Sequence, residues 1–397
     1  MSIFASEQQQ NGSITVDDPR FADDSEKGSS QRSCDDKNNG PGTWCLPQEV
    51  WDNVVAHLDD TTAKACSLTC KALYYPARAL HWRHIDLYPR QTGRGGWPST
   101  LKSVLTENPI LHTLVRRLDA TLALSDLPYV ASFEHLIHLG LVRLRHLGHD
   151  PRLWTLRLSN ITELILFCYQ PENVSDFIWL LSCFPRLTLL YVSEEPRYPQ
   201  QLWEWHGEGA LSLPYLSEVI FDSLALAKAL PLITRAAGIS LRRLEMRLPV
   251  LPHPLPDILD LSQNTHLTQL AIQLYYDMSL DERWDEHPVA ALLTHVGALH
   301  TSLTQVDLGL PEMDGEIEPG AALGRELSRV MDDLPSVTVI FHHGRMEARA
   351  WRQAYTDHLP RAFPGLLAHT QRIRSFADYL EGDPDESEPL LLCSSDE

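Results

Sequence analysis

The stretch Leu187-Thr188-Leu189-Leu190-Tyr191-Val192 carries apolar residues at its first, fourth and sixth positions. The same spacing recurs between Val115 and Ile340: an apolar residue, two variable ones, an apolar residue, one variable, and a third apolar residue. Because successive side chains of a strand point to opposite faces, each unit predicts a short strand with its second and third apolar residues in a core. A recurring strand of this kind predicts a chain built from repeats.

The repeats are loosely spaced, and successive starts lie 21 to 36 residues apart. Residues 174–181 and 288–293, which lie between units, have compositions typical of returning helices. Each coil of such a chain buries its apolar face only against its neighbours. The units begin at Val115, Leu136, Ile161, Leu187, Leu216, Leu241, Leu267 and Leu303, with a degenerate Val337…Ile340 last.

This spacing resembles that of leucine-rich repeat proteins, in which repeats of 20–29 residues are usual. The resemblance implies an α/β fold for residues 89–344: an irregular solenoid with a parallel sheet on its concave face. An ordinary α/β sheet domain with similar strands is the alternative. Residues that alternate with the buried ones would line the concave face and bind a client protein: Arg117, Asp119, His138, Glu163, Tyr191, Glu218, Arg243, Glu245, Gln269, Gln305 and Asp307.

Residues 46–58 predict an amphipathic helix, since Trp51, Val54 and Leu58 share one helical face. Two further short helices are expected after it. Asp60 and Thr61 would cap the second, and Pro76 would begin the third. A unit this small cannot bury much surface alone, so part of its apolar surface must meet another domain or another chain.

The block 44–88 resembles an F-box in the order of its parts: Leu46-Pro47, the acidic turn Asp59-Asp60, the small-residue segment 65–71, and residues 82–85. The resemblance implies a three-helix module that docks on a Skp-type adaptor and, through it, a cullin. A plain three-helix cap on the following domain is the alternative. The residues expected to contact the adaptor are Leu46, Pro47, Val50, Val54, Leu58 and Leu68.

Both ends of the chain are polar, and residues 1–43 and 382–397 predict a disordered arm and an acidic disordered tail. Residues 345–381 predict a helical cap that closes the solenoid, with Pro360 and Pro364 dividing two helices. Ile373 is expected on an apolar face of the second helix.

Composition narrows the function classes. A formal charge of −20 repels phosphate backbones and anionic lipids, so neither nucleic acid nor a membrane is an expected partner. Seven cysteines without regular spacing do not describe a disulfide framework, and no apolar stretch approaches a membrane span. We therefore expect an intracellular protein, cytoplasmic, nuclear or both.

No phosphate-binding loop, nucleophile elbow or metal-ligand motif is found in the sequence. No catalytic, cofactor-binding or metal-binding residue is therefore predicted. The sequence favours a non-catalytic substrate-recognition subunit of a Skp–cullin–F-box type ubiquitin ligase. An F-box/repeat scaffold without ligase function and an enzyme with an unrecognised site are the alternatives.

Overall fold

The structure is a computed structural model, and it describes residues 47–69, 71–87, 99–121, 127–142, 155–168, 174–193, 211–223, 226–248, 259–274, 287–310, 321–343 and 363–375. The fold is α/β. In the described part of the chain eleven strands form one parallel sheet, and their order across the sheet is their order along the chain. The predicted terminal arm and tail, and most of the predicted helical cap, lie outside the described residues.

Three helices precede the sheet and share a small core of Val55, Ala63 and Ala77. Asp59, rather than Asp60 or Thr61, caps the second helix: its carboxylate accepts from Thr62 N at 2.9 Å and Thr62 Oγ1 at 2.6 Å. The expectation for Pro76 was also wrong, because the third helix begins earlier and contains it. The helices are α1 (Gln48–Ala56), α2 (Asp60–Ser67) and α3 (Lys71–Arg83).

The strands are four to six residues long, except the last, which has three. They are β1 (His84–Leu87), β2 (Arg117–Ala120), β3 (His138–Val142), β4 (Glu163–Phe167), β5 (Leu189–Ser193), β6 (Glu218–Asp222), β7 (Arg243–Leu248), β8 (Gln269–Leu274), β9 (Gln305–Leu310), β10 (Thr338–His343) and β11 (Ile373–Ser375).

Helices between the strands cover one face of the sheet. Residues 174–181 and 288–293 are helical, as predicted. The α-helices that follow β1 in the described residues are α4 (Ser99–Glu107), α5 (Leu111–Leu114), α6 (Leu127–Val130), α7 (Val174–Ser182), α8 (Leu230–Ala237), α9 (His287–Leu293) and α10 (Ala321–Asp333). The 3-10 helices are Ala227–Ala229, Gly238–Ser240 and Pro364–Arg372.

The predicted register of the apolar units is confirmed. The second apolar residues of the first eight units pair directly across the sheet, and each is fully buried in one core. Helices α7 to α10 cover this row with their own apolar faces. The row consists of Leu118, Leu139, Leu164, Leu190, Val219, Leu244, Leu270 and Val306.

The same hydrogen-bond pattern begins each strand from β3 to β9. Two consecutive N–H groups donate to one carbonyl of the preceding unit, as Thr188 N and Leu189 N do to Thr162 O at 2.7 and 3.0 Å. The Thr188 hydroxyl donates to the same oxygen at 3.0 Å. The residue that begins this doubled step is Thr or Ser on five of these seven strands, and on four of them its hydroxyl adds this third bond.

The last predicted unit was placed out of register. The apolar pair was expected at Val337 and Ile340, but Val339 pairs with Val306 in the buried row, whereas Ile340 pairs with Asp307 on the opposite face. The physical reason is a missing residue. At β10 only Thr338 N donates to Thr304 O, so the doubled step is absent. The residue that pairs with Val306 therefore comes one position earlier in the sequence than the repeat spacing predicts.

Both ends of the sheet differ from expectation. His84–Leu87, expected within the three-helix block, is β1 and pairs with β2. Ile373, expected on a helix, begins β11, which pairs with β10. Before it, Phe363 stacks on Phe341 with ring centroids 5.9 Å apart, and Arg372 donates to Met331 O at 2.9 Å at the end of α10. Within the described residues a 3-10 helix and a strand therefore follow β10 where a helix was expected.

Candidate functional site

The face of the sheet opposite the helices, here called the polar face, carries all eleven side chains predicted to contact a client. They occupy two rows, one on each side of the buried row that contains Leu118. The first row holds Arg117, His138, Glu163, Glu218, Arg243, Gln269 and Gln305. The second holds Asp119, Tyr191, Glu245 and Asp307. The sheet therefore brings them onto one surface.

At the β1 end of this face, Asp119 is surrounded by donors. Its carboxylate accepts from Arg117 Nε at 2.7 Å, and His84 Nε2 and His138 Nε2 lie 2.9 and 3.2 Å from it. The other nitrogen of His138 lies 2.9 Å from Glu163 Oε2. Asp119 and His138 are both buried, whereas the side chains of His84, Arg117 and Glu163 that complete the network are about half exposed.

The network lowers the pKa of Asp119. Burial opposes ionisation, but the hydrogen bonds from His138, Arg117 and His84 outweigh it and hold the pKa well below its usual value. Gly140, beside Asp119 on β3, is required by this packing because a Cβ there would collide with Asp119 Oδ1.

A second carboxylate is enclosed on β7. Glu245 is only 2% exposed, and its two oxygens accept from Arg243 Nη2 at 2.7 Å and Arg247 Nε at 2.6 Å. The two arginines lie two residues on either side of it on the same strand. Their side chains therefore cover Glu245 on the polar face.

A third carboxylate, Asp307 on β9, is also surrounded by side-chain nitrogens, two of them from glutamine amides. Gln269 Nε2 donates to it from β8 at 2.7 Å, Gln305 Nε2 donates at 2.9 Å, and His342 Nε2 lies 2.9 Å away. Like Asp119 and Glu245, Asp307 is buried and belongs to the second row.

Residues that line a concave face and bind a client would be exposed there, but Asp119, His138, Glu245 and Asp307 are buried. Their register is correct, but neighbouring side chains on the same face cover them. Strand alternation predicts which face a residue occupies and says nothing of how far its neighbours reach over it.

Of the apolar centre of the polar face, sequence reasoning identified only Tyr191. Ile165, Tyr191 and Ile220 pair across β4, β5 and β6 in the second row, with Leu189 beside them in the first. The Phe167 ring lies on the same face, with its centroid 5.4 Å from that of Tyr191. The missed signal was the residue between the second and third apolar positions of a unit. In the units of β4 to β6 this residue is apolar or aromatic, whereas in the units of β2, β7 and β9 it is charged.

The three-helix unit carries a second group of predicted contact residues. Val50, Val54 and Leu68 are exposed, and Leu68 is 87% exposed. Pro47 is exposed as well, whereas Leu58 packs against the small core. Leu46 lies outside the described residues.

A shallow depression of about 380 Å³ lies at the starting edge of β3 to β6 and includes Arg116, Asn160, Arg186 and Tyr215 among its lining residues. Among the described residues, no cluster of His, Cys, Asp and Glu side chains could hold a metal ion. Within the same part of the chain, no helix is long and apolar enough to cross a membrane.

No protein-family model matches the sequence, and no curated protein matches it at a significant level.

Proposed function

We propose that the chain is a substrate-recognition subunit of a Skp–cullin–F-box type ubiquitin ligase. In this proposal α1–α3 are the F-box, and the sheet with its helices is an irregular leucine-rich-repeat solenoid. The observation that carries it is the exposed apolar surface of Val50, Val54 and Leu68, at positions where the F-box resemblance implies adaptor contacts.

The energetics of the three-helix unit support a partner. Among its described residues the fully buried core side chains are Val55, Ala63 and Ala77, with the partly buried Leu58, Leu73 and Leu80 packed against them, so little apolar area holds the helices together. Burying a leucine such as Leu68 stabilises a complex by about 1.5–3 kcal/mol. An adaptor that covers Val50, Val54 and Leu68 therefore completes a core that the chain alone leaves open.

The second half of the proposal assigns the client to the polar face of the sheet. The Asp119, Glu245 and Asp307 networks fix their side chains before any partner arrives, so little rotamer entropy is lost on binding. The mechanism is effective concentration: the subunit holds a client close to a ubiquitin-charged enzyme, which makes the transfer nearly intramolecular. The bond chemistry belongs to that enzyme.

The test is a pull-down of the full chain with a purified Skp-type adaptor. Replacing Leu68 by Glu should weaken adaptor binding about tenfold or more, because an apolar contact is lost and a charge is buried. Leu299→Glu is the matched control, since Leu299 is 69% exposed and lies outside the three-helix unit. Circular dichroism of both variants verifies folding.

Equal adaptor binding by Leu68→Glu and the unmodified chain would contradict the docking assignment. If the adaptor binds but no cullin joins the complex, the non-ligase scaffold becomes the better description. Val50→Asp combined with Val54→Asp tests the α1 side of the same surface independently.

A further inference from the structure

The centre of the polar face differs from both of its ends. On β4 to β6 the first row reads Glu163, Leu189, Glu218, and the second reads Ile165, Tyr191, Ile220. The third row, one alternation further along the strands, reads Phe167, Ser193, Asp222. We call the five apolar side chains of these rows the central patch: Ile165, Phe167, Leu189, Tyr191 and Ile220.

The central patch is small and partly open. Two strand spacings are about 10 Å, and four residues along a strand are about 13 Å, so the patch has room for one or two partner side chains. Of its members only Ile220 is buried, and Ile220 does not belong to the main core. The Phe167 and Tyr191 rings meet at 58°, which leaves an uneven aromatic surface.

Three carboxylates border this patch. Glu163 and Glu218 flank Leu189, and Asp222 ends β6 in the third row. Glu163 Oε2 lies 2.9 Å from His138 Nδ1, and Arg243 lies 4.0 Å from Glu218 but makes its shorter bond, at 2.7 Å, to Glu245. The border of the central patch is therefore acidic, with both glutamates about two-fifths exposed.

We propose that the central patch binds a basic protein segment in which an aromatic or aliphatic side chain is flanked by Lys or Arg. The apolar side chain packs on Tyr191 and Ile165, and the flanking cations meet Glu163, Glu218 and Asp222. Aromatic anchors surrounded by complementary charge are the usual energetic centres of protein interfaces. The inference deepens the proposed function, on which it rests, by naming the chemical class of client.

Charge argues against occupants from this chain itself. Residues 1–43 contain eight acidic and four basic residues, and residues 382–397 contain six acidic and no basic ones. A second copy carries the same net charge of −20. Each of these would bring like charge to the acidic border, which costs binding free energy.

The test uses two labelled peptides of equal length with a central phenylalanine, one with two arginines on each side and one with glutamates in their place. Fluorescence anisotropy with the full chain should show binding of the basic peptide only, and added salt should weaken it. Tyr191→Ala should weaken binding about tenfold, and Glu218→Gln about threefold. Glu134→Gln, which changes an exposed glutamate outside the polar face, should leave the affinity unchanged.

Binding of both peptides alike, or no binding at about 1 mM protein, would overturn the proposal. A homodimer that forms in sedimentation equilibrium and that Tyr191→Ala dissociates would also overturn it, because the central patch would then bind a second copy of the chain. These outcomes are independent of adaptor binding. Binding of the adaptor without binding of the basic peptide would contradict only the client assignment. Binding of the peptide without binding of the adaptor would contradict only the ligase assignment.

Discussion

Leu244 and Glu245 are neighbours on β7, and both are almost completely removed from solvent, yet they lie on opposite faces of the sheet. Leu244 belongs to the large apolar core. Glu245 is covered by the arginines two residues before and after it. The same degree of burial is thus reached by two different kinds of contact.

The difference shows that the two faces of this sheet remove side chains from water in different ways. The core row needs the helices, because an apolar side chain has no other way to leave water. The polar face buries its carboxylates with side chains of the strands themselves, and so it needs no covering layer at those positions. It can therefore remain available to a partner while most of its charges stay fixed.

The largest expected effect is on the core side. Leu244→Ala removes a fully buried side chain from a row of apolar neighbours and should lower the free energy of unfolding by about 2–5 kcal/mol. Urea denaturation at neutral pH measures this. Leu299→Ala, at an exposed leucine, is the control and should change stability by less than about 0.5 kcal/mol. Similar losses for the two variants would mean that the core row is wrongly assigned.

The polar face should give a smaller but measurable loss. Glu245→Ala removes the acceptor of two charged hydrogen bonds and leaves Arg243 and Arg247 without it, which should cost about 1–3 kcal/mol. Replacing an exposed glutamate would instead change stability by less than about 0.5 kcal/mol. A double-mutant cycle with Arg247→Ala should show strong coupling, and additive losses would contradict the proposed cover.

The repeat pattern was enough to predict the parallel strands, the buried row and the face of each polar residue. It failed where the unit changes length. At β10 the doubled step is missing, and a count of residues cannot reveal a missing hydrogen-bonded step. At β1 the signal was present, because Trp82, Ile85 and Leu87 have the spacing of a unit, but the three-helix assignment had already taken those residues.

The sequence was enough to predict which face of the sheet carries the candidate site, but not which contacts its side chains make. Arg117, Asp119 and His138 were placed on the right face, but their network joins β1, β2 and β3 through side-chain reach. The local order of residues in one strand does not contain that information. The apolar identities of Ile165 and Ile220 were visible, yet their effect appears only when β4 to β6 stand side by side.

Acid should weaken the polar face before the core. The pKa of Asp119 is lower in the folded chain than its usual value of about 3.9, so its contribution to stability is present above pH 4 and is lost as the pH falls below it. The stability advantage of the unmodified chain over Asp119→Asn should therefore shrink in acid, by at most about 1.4 kcal/mol per pH unit. A constant difference between pH 6 and pH 3 in denaturant titrations would contradict this assignment. The Leu244→Ala difference should not follow pH in this way.

The smallest expected stability effect is at Glu218, and it separates folding from binding on the polar face. Glu218→Gln is chemically the same change as Glu245→Gln. Because Glu218 is partly exposed and its contact with Arg243 is long, at 4.0 Å, the free energy of unfolding should change by less than about 0.5 kcal/mol. Glu245→Gln should cost clearly more, because a neutral amide replaces one acceptor of two arginine bonds. For affinity toward the basic peptide the order should reverse, since Glu218 borders the central patch and Glu245 is already enclosed. Melting temperatures of the two variants measure the loss of stability, and anisotropy titrations measure the loss of peptide affinity. If the same variant showed the larger loss in both measurements, the polar face would not have separate carboxylates for structure and for recognition.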